Sequence, residues 1–174
     1  MRQKHEQYKR FYEGLTRPLK SHPRLIRALT ILDKAIAFGF VLAYPAFLAI
    51  LLFAKPFRLL FALNAIGLPF LCFACVTLLR KLIKRPRPYE TTGAGIDPLI
   101  QKRGTGNSMP SRHIASAFVI SLAILPHFVW AGVLCLVAAA LLAVLRCIEG
   151  VHYPSDLLAG ALLGVAFGCV GLIL

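Results

Sequence analysis

Residues 35–54 read AIAFGFVLAYPAFLAILLFA, twenty positions without a charged side chain. As a helix this run is about 30 Å long at about 1.5 Å per residue, the thickness of the hydrocarbon core of a bilayer. It must either cross lipid or lie inside a soluble core large enough to enclose it. A chain of 174 residues, 58% of them hydrophobic and with a mean hydropathy of +0.72, has too little polar surface for the second option. Further apolar runs follow at 57–79, interrupted by Gly67 and Pro69, and at 111–125, 127–145 and 155–174. The expected fold is therefore all-α: an integral membrane helical bundle of about five transmembrane helices.

The basic residues cluster outside these runs. The net charge is +13, and residues 1–34 hold nine Lys and Arg. Leu25, Ile26, Leu29, Ile31 and Leu32 interleave with these cations at roughly helical spacing, which predicts a helix lying in the membrane interface, with a loosely ordered basic tail as the alternative. A basic skin on an apolar body suits anionic lipid headgroups or a phosphate substrate, and nothing in the chain resembles a nucleic-acid module. The domain reading is a basic interfacial segment, 1–34, followed by a transmembrane domain, 35–174. Residues 1–34 lack the compact apolar core of a cleavable signal peptide. Cys72 and Cys75 have the C-x-x-C spacing but sit among Phe, Ala and Leu in an apolar run. They are read as small apolar residues, not as a redox or zinc pair.

Two polar stretches carry the chemistry. In Arg146-Cys-Ile-Glu-Gly-Val-His152-Tyr-Pro-Ser-Asp156, an arginine, a histidine and an aspartate fall within eleven residues between two spans. Gly150 and Pro154 break the helix, and Ser155 reads as the N-cap of the next one, with Asp156 in its first turn. An aspartate there can hold one nitrogen of His152 and leave the other free to act as nucleophile or base. Arg146 beside it points to an anionic substrate, and its planar fork suits phosphate. The second stretch runs from Arg80 to Arg112. Pro110 fits the first turn of a helix, which would put Ser111, Arg112 and His113 at an N-terminus whose free N–H groups favour an anion. The span that follows is only about 22 Å long, so it is expected to start below the membrane surface, with His113 at the floor of a pocket. In the last run Gly160, Gly164 and Gly168 form a small-residue ridge. It is read as a helix-packing surface inside the bundle, with homodimerisation as the alternative.

These residues resemble the motifs of the type 2 phosphatidic acid phosphatase superfamily, over roughly 57–174. The family's first motif, Lys, six residues, then Arg-Pro, is matched by Arg80, Arg87 and Pro88. Its second, Pro-Ser-Gly-His, is matched by Pro110, Ser111, Arg112 and His113. Its third, Ser-Arg, five residues, His, three residues, Asp, is matched by Arg146, His152 and Asp156, with Leu145 in place of Ser. Arg80 stands where the family has Lys, with Lys81 a competing candidate for that slot, and Arg112 stands where it has Gly. The resemblance implies a bacterial membrane enzyme releasing phosphate from a lipid mono- or pyrophosphate of the polyprenyl pyrophosphate, phosphatidylglycerophosphate or phosphatidate type. His152 would be the nucleophile, forming a phosphohistidine, Asp156 would orient it, and His113 would be the acid and then the base. Arg80 or Lys81, Arg87, Ser111, Arg112 and Arg146 would bind the phosphoryl group, without a metal or other cofactor. A lipid phosphotransferase and an inactive lipid-binding scaffold are the competing functions.

Sidedness follows from counting. With five spans, the N-terminus, the 80–112 segment and the 146–156 turn share one face of the cell membrane. They carry 18 of the 20 Lys and Arg, which places that face in the cytoplasm. Many members of the resembled family have six spans and an outward-facing site. Residues 1–34 are too charged to supply a sixth, so an inverted, cytoplasm-facing site is expected.

Overall fold

A computed structural model describes residues 2–54, 63–91, 96–100 and 106–173. Every regular element in it is helical. Helix α1 is Arg2–Lys20 and α2 is Pro23–Ala54. A π-helical turn, Leu63–Gly67, leads into α3, Leu68–Ile83. Then come α4, Arg112–Ile124, α5, Val129–Ile148, and α6, Pro154–Ile173. Four of these stretches are long and apolar enough to cross a membrane, and α4 is a shorter apolar helix among them. The protein is an all-helical integral membrane bundle, as the hydropathy pattern predicts.

The break between the surface helix and the first spanning helix falls at Ser21–His22, not at residue 34. Ser21 Oγ donates to the Pro18 carbonyl at 3.0 Å, and Pro23 opens α2 at the position where a missing N–H is least costly. Residues 23–34 thus belong to one 32-residue helix, about 48 Å long, more than the about 30 Å of a hydrocarbon core. Pro45 does not end it. The expected start of the second span, from residue 57, lies outside the described residues.

Helix α4 is the centre post of the bundle. Ile114, Ala115, Ala117, Val119 and Ile124 are all buried, and they divide between two apolar clusters. In one cluster α4 meets Phe47 and Leu51 of α2 and Cys72 and Val76 of α3. In the other it meets Ala139 and Leu142 of α5 and Leu157 of α6. Surrounded by protein, α4 has no need to match the thickness of the bilayer, which accounts for its 13 residues. Apolar side chains on the outside, such as Phe53, Trp130 and Ile173, are open, as a lipid-facing surface requires.

The glycine ridge of α6 packs on α4. A Cβ at Gly160 would lie 2.6 Å from the Ser111 carbonyl oxygen, and one at Gly164 would lie 2.5 Å from that of Ala115. At Gly168 it would meet the Leu122 side chain at 2.4 Å. Gly160, Gly164 and Gly168 are buried in this contact and offer no surface to a second copy, so the ridge serves packing within the bundle rather than dimerisation. Cys72 is fully buried among apolar neighbours, in keeping with its reading as a small apolar residue.

Candidate active site

The site is built where the α5–α6 turn meets the start of α4. Gly150 turns the chain with φ +75°, and a side chain there would also strike the Tyr12 hydroxyl. Helix α6 starts at Pro154, and its cap is Tyr153, not Ser155 as the sequence suggests. The Tyr153 carbonyl accepts the N–H groups of Asp156 and Leu157 at 2.9 and 3.3 Å, while Asp156 Oδ2 accepts the Tyr153 N–H at 3.0 Å. This is the carboxylate half of a capping box, and it freezes Asp156 in the first turn.

Asp156 is fully buried and His152 nearly so. His152 Nδ1 lies 3.7 Å from Asp156 Oδ2, beyond hydrogen-bond length, and has no hydrogen-bond partner among the described residues. That orientation assigns Nδ1 to the carboxylate and leaves Nε2 for chemistry. Burial pushes the pKa of His152 below 6.5; Asp156 opposes the shift, and Arg146 and Arg87 reinforce it. The imidazole is therefore neutral at pH 7, the form a nucleophile needs.

The Ser111 N–H donates to the Asp156 main-chain carbonyl at 3.0 Å, which ties the start of α4 to the start of α6. Ser111 is the N-cap of α4, and its buried hydroxyl has no partner among the described residues. Pro110 consequently precedes the helix, following a cis Met109–Pro110 bond, and does not lie in its first turn. Arg87 donates from Nη1 to the Tyr89 hydroxyl at 2.9 Å, while its buried Nε has no partner among the described residues. Buried polar atoms without partners cost about 1–3 kcal/mol each and are rare.

The remaining basic residues take distinct places. Arg146, in the last turn of α5, donates from Nε and Nη2 to the two carboxylate oxygens of Asp33 on α2, at 3.1 and 3.4 Å, and both side chains are buried. The Arg80 guanidinium donates to the carbonyls of Asn107, Ser108 and Pro110, and Asn107 Nδ2 returns a bond to the Arg80 carbonyl at 2.7 Å. Arg80 thus fixes the loop that delivers Ser111, a positioning role the sequence did not suggest. Lys81, the other candidate for that slot, is exposed. Arg112 and His113 line a cleft of about 510 Å³, whose apolar walls come from Phe40, Val41, Phe73 and Leu142 among others. His113 is exposed at this cleft rather than sunk in a floor.

Three contributors escaped the sequence. Asp33 is the one acid between Glu13 and the first apolar run, and that isolation was the available signal. Arg85 donates from Nη1 to Asp156 Oδ1 at 2.8 Å and to Ser155 Oγ at 2.7 Å, and its guanidinium lies 4.0 Å over the Tyr153 ring. The third is α1, which docks on the turn. The Tyr8 ring packs 4.7 Å from that of Tyr153, and the Tyr12 hydroxyl donates to the Ile148 carbonyl and accepts the Leu99 N–H, both at 3.1 Å. Burial pushes the Tyr12 phenol up to about 12. Tyr8, Tyr12 and Thr16, spaced four apart, were the legible stripe.

The family profile of the PAP2 superfamily matches residues 58–174. Over 95 residues, 52% of this chain, the sequence is 33% identical to the lipid A 4'-phosphatase of Bacteroides thetaiotaomicron; the matched stretch is 42% of that protein. The chain spans less than half the length of the curated relatives it matches. Two crystal structures share the fold. One is Aquifex aeolicus LpxE, with a TM-score of 0.71, 24% identity, and coverage of 95% of this chain and 94% of that one. The other is the PAP2 type phosphatidylglycerolphosphate phosphatase from Bacillus subtilis, with a TM-score of 0.64, 21% identity, and coverage of 96% and 83%.

Proposed function

The chain belongs to the PAP2 superfamily, and from that membership we propose that it is an integral-membrane lipid phosphatase working through a phosphohistidine at His152. The observation that carries the reading is a pair of buried, unpartnered donors tied to the His152 turn: Ser111 Oγ, on the residue whose N–H binds the Asp156 carbonyl, and Arg87 Nε, on a residue whose charge acts on an imidazole held neutral by burial. A phosphoryl group supplies the acceptors these donors lack.

The reaction proceeds in two displacements. His152 Nε2 attacks phosphorus as the bond to the leaving oxygen breaks, and His113 gives its proton to that oxygen. Asp156 stabilises the charge gained by the ring. Water then attacks phosphorus, His113 takes its proton, and the P–N bond breaks to release inorganic phosphate. Arg87, Arg146 and Ser111 stabilise the equatorial oxygens in both transition states. The apolar cleft below Arg112 and His113 takes the hydrocarbon chain of the substrate, so the headgroup stands at the membrane boundary. A lipid monophosphate or pyrophosphate of the polyprenyl pyrophosphate, phosphatidylglycerophosphate or phosphatidate type fits this description.

The polar face holds α1, the Leu99 segment and the 146–156 turn in mutual contact. We assign it to the cytoplasmic side of the cell membrane on its excess of Lys and Arg. Labelling of a Glu13→Cys variant, made without the native cysteines, by an impermeant reagent added outside intact cells would reverse that assignment.

The function is tested by phosphate release from a panel of lipid mono- and pyrophosphates by purified protein, with and without EDTA. Release from at least one lipid, insensitive to EDTA, is expected. No release from any would favour a binding or scaffold role, and phosphate passed to an acceptor lipid would mark a phosphotransferase. Loss on chelation, restored by a divalent ion, would overturn the metal-independent mechanism.

A further inference from the structure

We propose that Arg85 is a positioning residue that acts as the resting counter-ion of Asp156, holding the carboxylate in place while His152 stays neutral and nucleophilic. The proposal rests on the phosphohistidine reading above and adds a residue to its machinery.

Asp156 has no exposed surface, and a buried carboxylate requires a partner. His152 is the partner that a His–Asp pair leads one to expect, yet it stands 3.7 Å away without a hydrogen bond. The direct bond goes to Arg85, at 2.8 Å on Oδ1, on the other side of the carboxylate from the Oδ2 that faces His152. Oδ2 is occupied by the Tyr153 N–H. Arg85 itself is fixed from two further directions, by Ser155 Oγ and by the face of Tyr153. A guanidinium so placed is a clamp on Asp156, and a lysine ammonium could not reproduce its planar stacking.

The clamp has a chemical consequence. A bare aspartate beside a histidine draws a proton onto the ring, which removes the nucleophile. With Arg85 neutralising the carboxylate, the ring remains deprotonated until it gains charge from phosphorus. At that point Oδ2, which faces Nδ1 from 3.7 Å, is the acceptor that the charged ring closes on. The other charged or titratable groups around His152 do not substitute for Arg85. From α5 comes Arg146, already paired with Asp33, and from the 84–91 segment comes Arg87; Arg80 of α3 also acts on Asp156, but its guanidinium is held by the carbonyls of the 107–110 loop, and Tyr8 of α1 packs on Tyr153. Arg146 and Arg87 also oppose protonation of His152, but among the hydrogen bonds and ion pairs described for Asp156, Arg85 is the cation.

The experiment compares wild type, Arg85→Gln and Arg85→Lys in two measurements. One is the pH dependence of kcat/KM on the best lipid phosphate. The other, which needs no substrate, is the titration of the His152 ring followed by 15N-histidine NMR in detergent. Arg85→Gln is expected to move the acidic limb and the His152 titration upward by about one pH unit and to lower kcat by about 100-fold. Arg85→Lys keeps the charge, so both titrations should stay near wild type while kcat falls. A lower kcat with unmoved titrations in Arg85→Gln would show a merely structural residue and overturn the proposal. If wild type releases no phosphate, the phosphatase reading fails, and the NMR titration alone then confirms or refutes the clamp. Should Arg85→Gln fail to fold, a His152 titration in Arg85→Lys displaced upward by as much as one unit overturns it.

Discussion

The Asp33–Arg146 pair makes a quantitative prediction. It joins α2 to α5 across 113 residues of sequence, and its side chains are only 4% and 7% exposed. Solvent therefore screens it little. Two unit charges about 4 Å apart at an effective dielectric of about 20 attract by about 4 kcal/mol. Removing one partner forfeits that attraction and strands the other charge, for a cost of about 3–5 kcal/mol. Removing both strands neither. In a double-mutant cycle, Asp33→Leu and Arg146→Met should each destabilise by about 3–5 kcal/mol, and the double variant by less than either alone. The assay is reversible unfolding in mixed micelles with SDS as denaturant, with helicity as the signal. Single variants each costing under about 1 kcal/mol, with additive effects, would refute the view that this contact is a desolvated ion pair.

Further outcomes follow from the site. Because His152 must be neutral to attack and its pKa is depressed by burial, the acidic limb of wild-type kcat/KM should lie below pH 6.5; a limb above 6.5 would contradict that environment. The same depression means the unfolded chain binds the proton first, so the His152 contribution to stability falls as pH drops below 6.5. Gly160→Ala puts a methyl 2.6 Å from the Ser111 carbonyl, and separating them to about 3.4 Å shifts the cradle by nearly 1 Å, so kcat should fall about 100-fold. Gly39→Ala, with nothing within 4 Å of its Cβ, should be silent, and equal effects from the two would exclude the packing explanation. Arg112→Gly should change the ratio of activities on pyrophosphate and monophosphate lipids, since Arg112 is a large cation lining the cleft; an unchanged ratio assigns it to the solvated rim.

What could be read in the sequence, and what could not, divides along physical lines. Transmembrane runs declare themselves because lipid demands apolar side chains over a fixed length, so α2, α5 and α6 were legible. The His152–Asp156 spacing was legible because a helix start places those residues on one local turn. Helix ends were not: Pro154 and the Asp156 carboxylate together moved the cap to Tyr153, and a side-chain bond of that kind leaves no periodicity. Partnerships between distant segments were not legible either. Arg80, Arg85, Arg87 and Arg146 are the same residue type in two polar stretches. Only the packing shows that one holds a loop, one an aspartate, one stands beside an unfilled cradle and one is paired with Asp33. The docking of α1 was hidden by its charge, since a basic amphipathic helix suits a membrane surface as well as it suits this turn.

The most direct test of the central claim is chemical trapping of the intermediate. Brief reaction of purified protein with a 32P-labelled lipid phosphate, quenched in alkaline SDS, should leave label on His152 that is stable to alkali and lost in acid, as a phosphoramidate requires. His152→Ala should carry no label and release no phosphate. Turnover by His152→Ala, or an acid-stable label on another residue, would contradict the account.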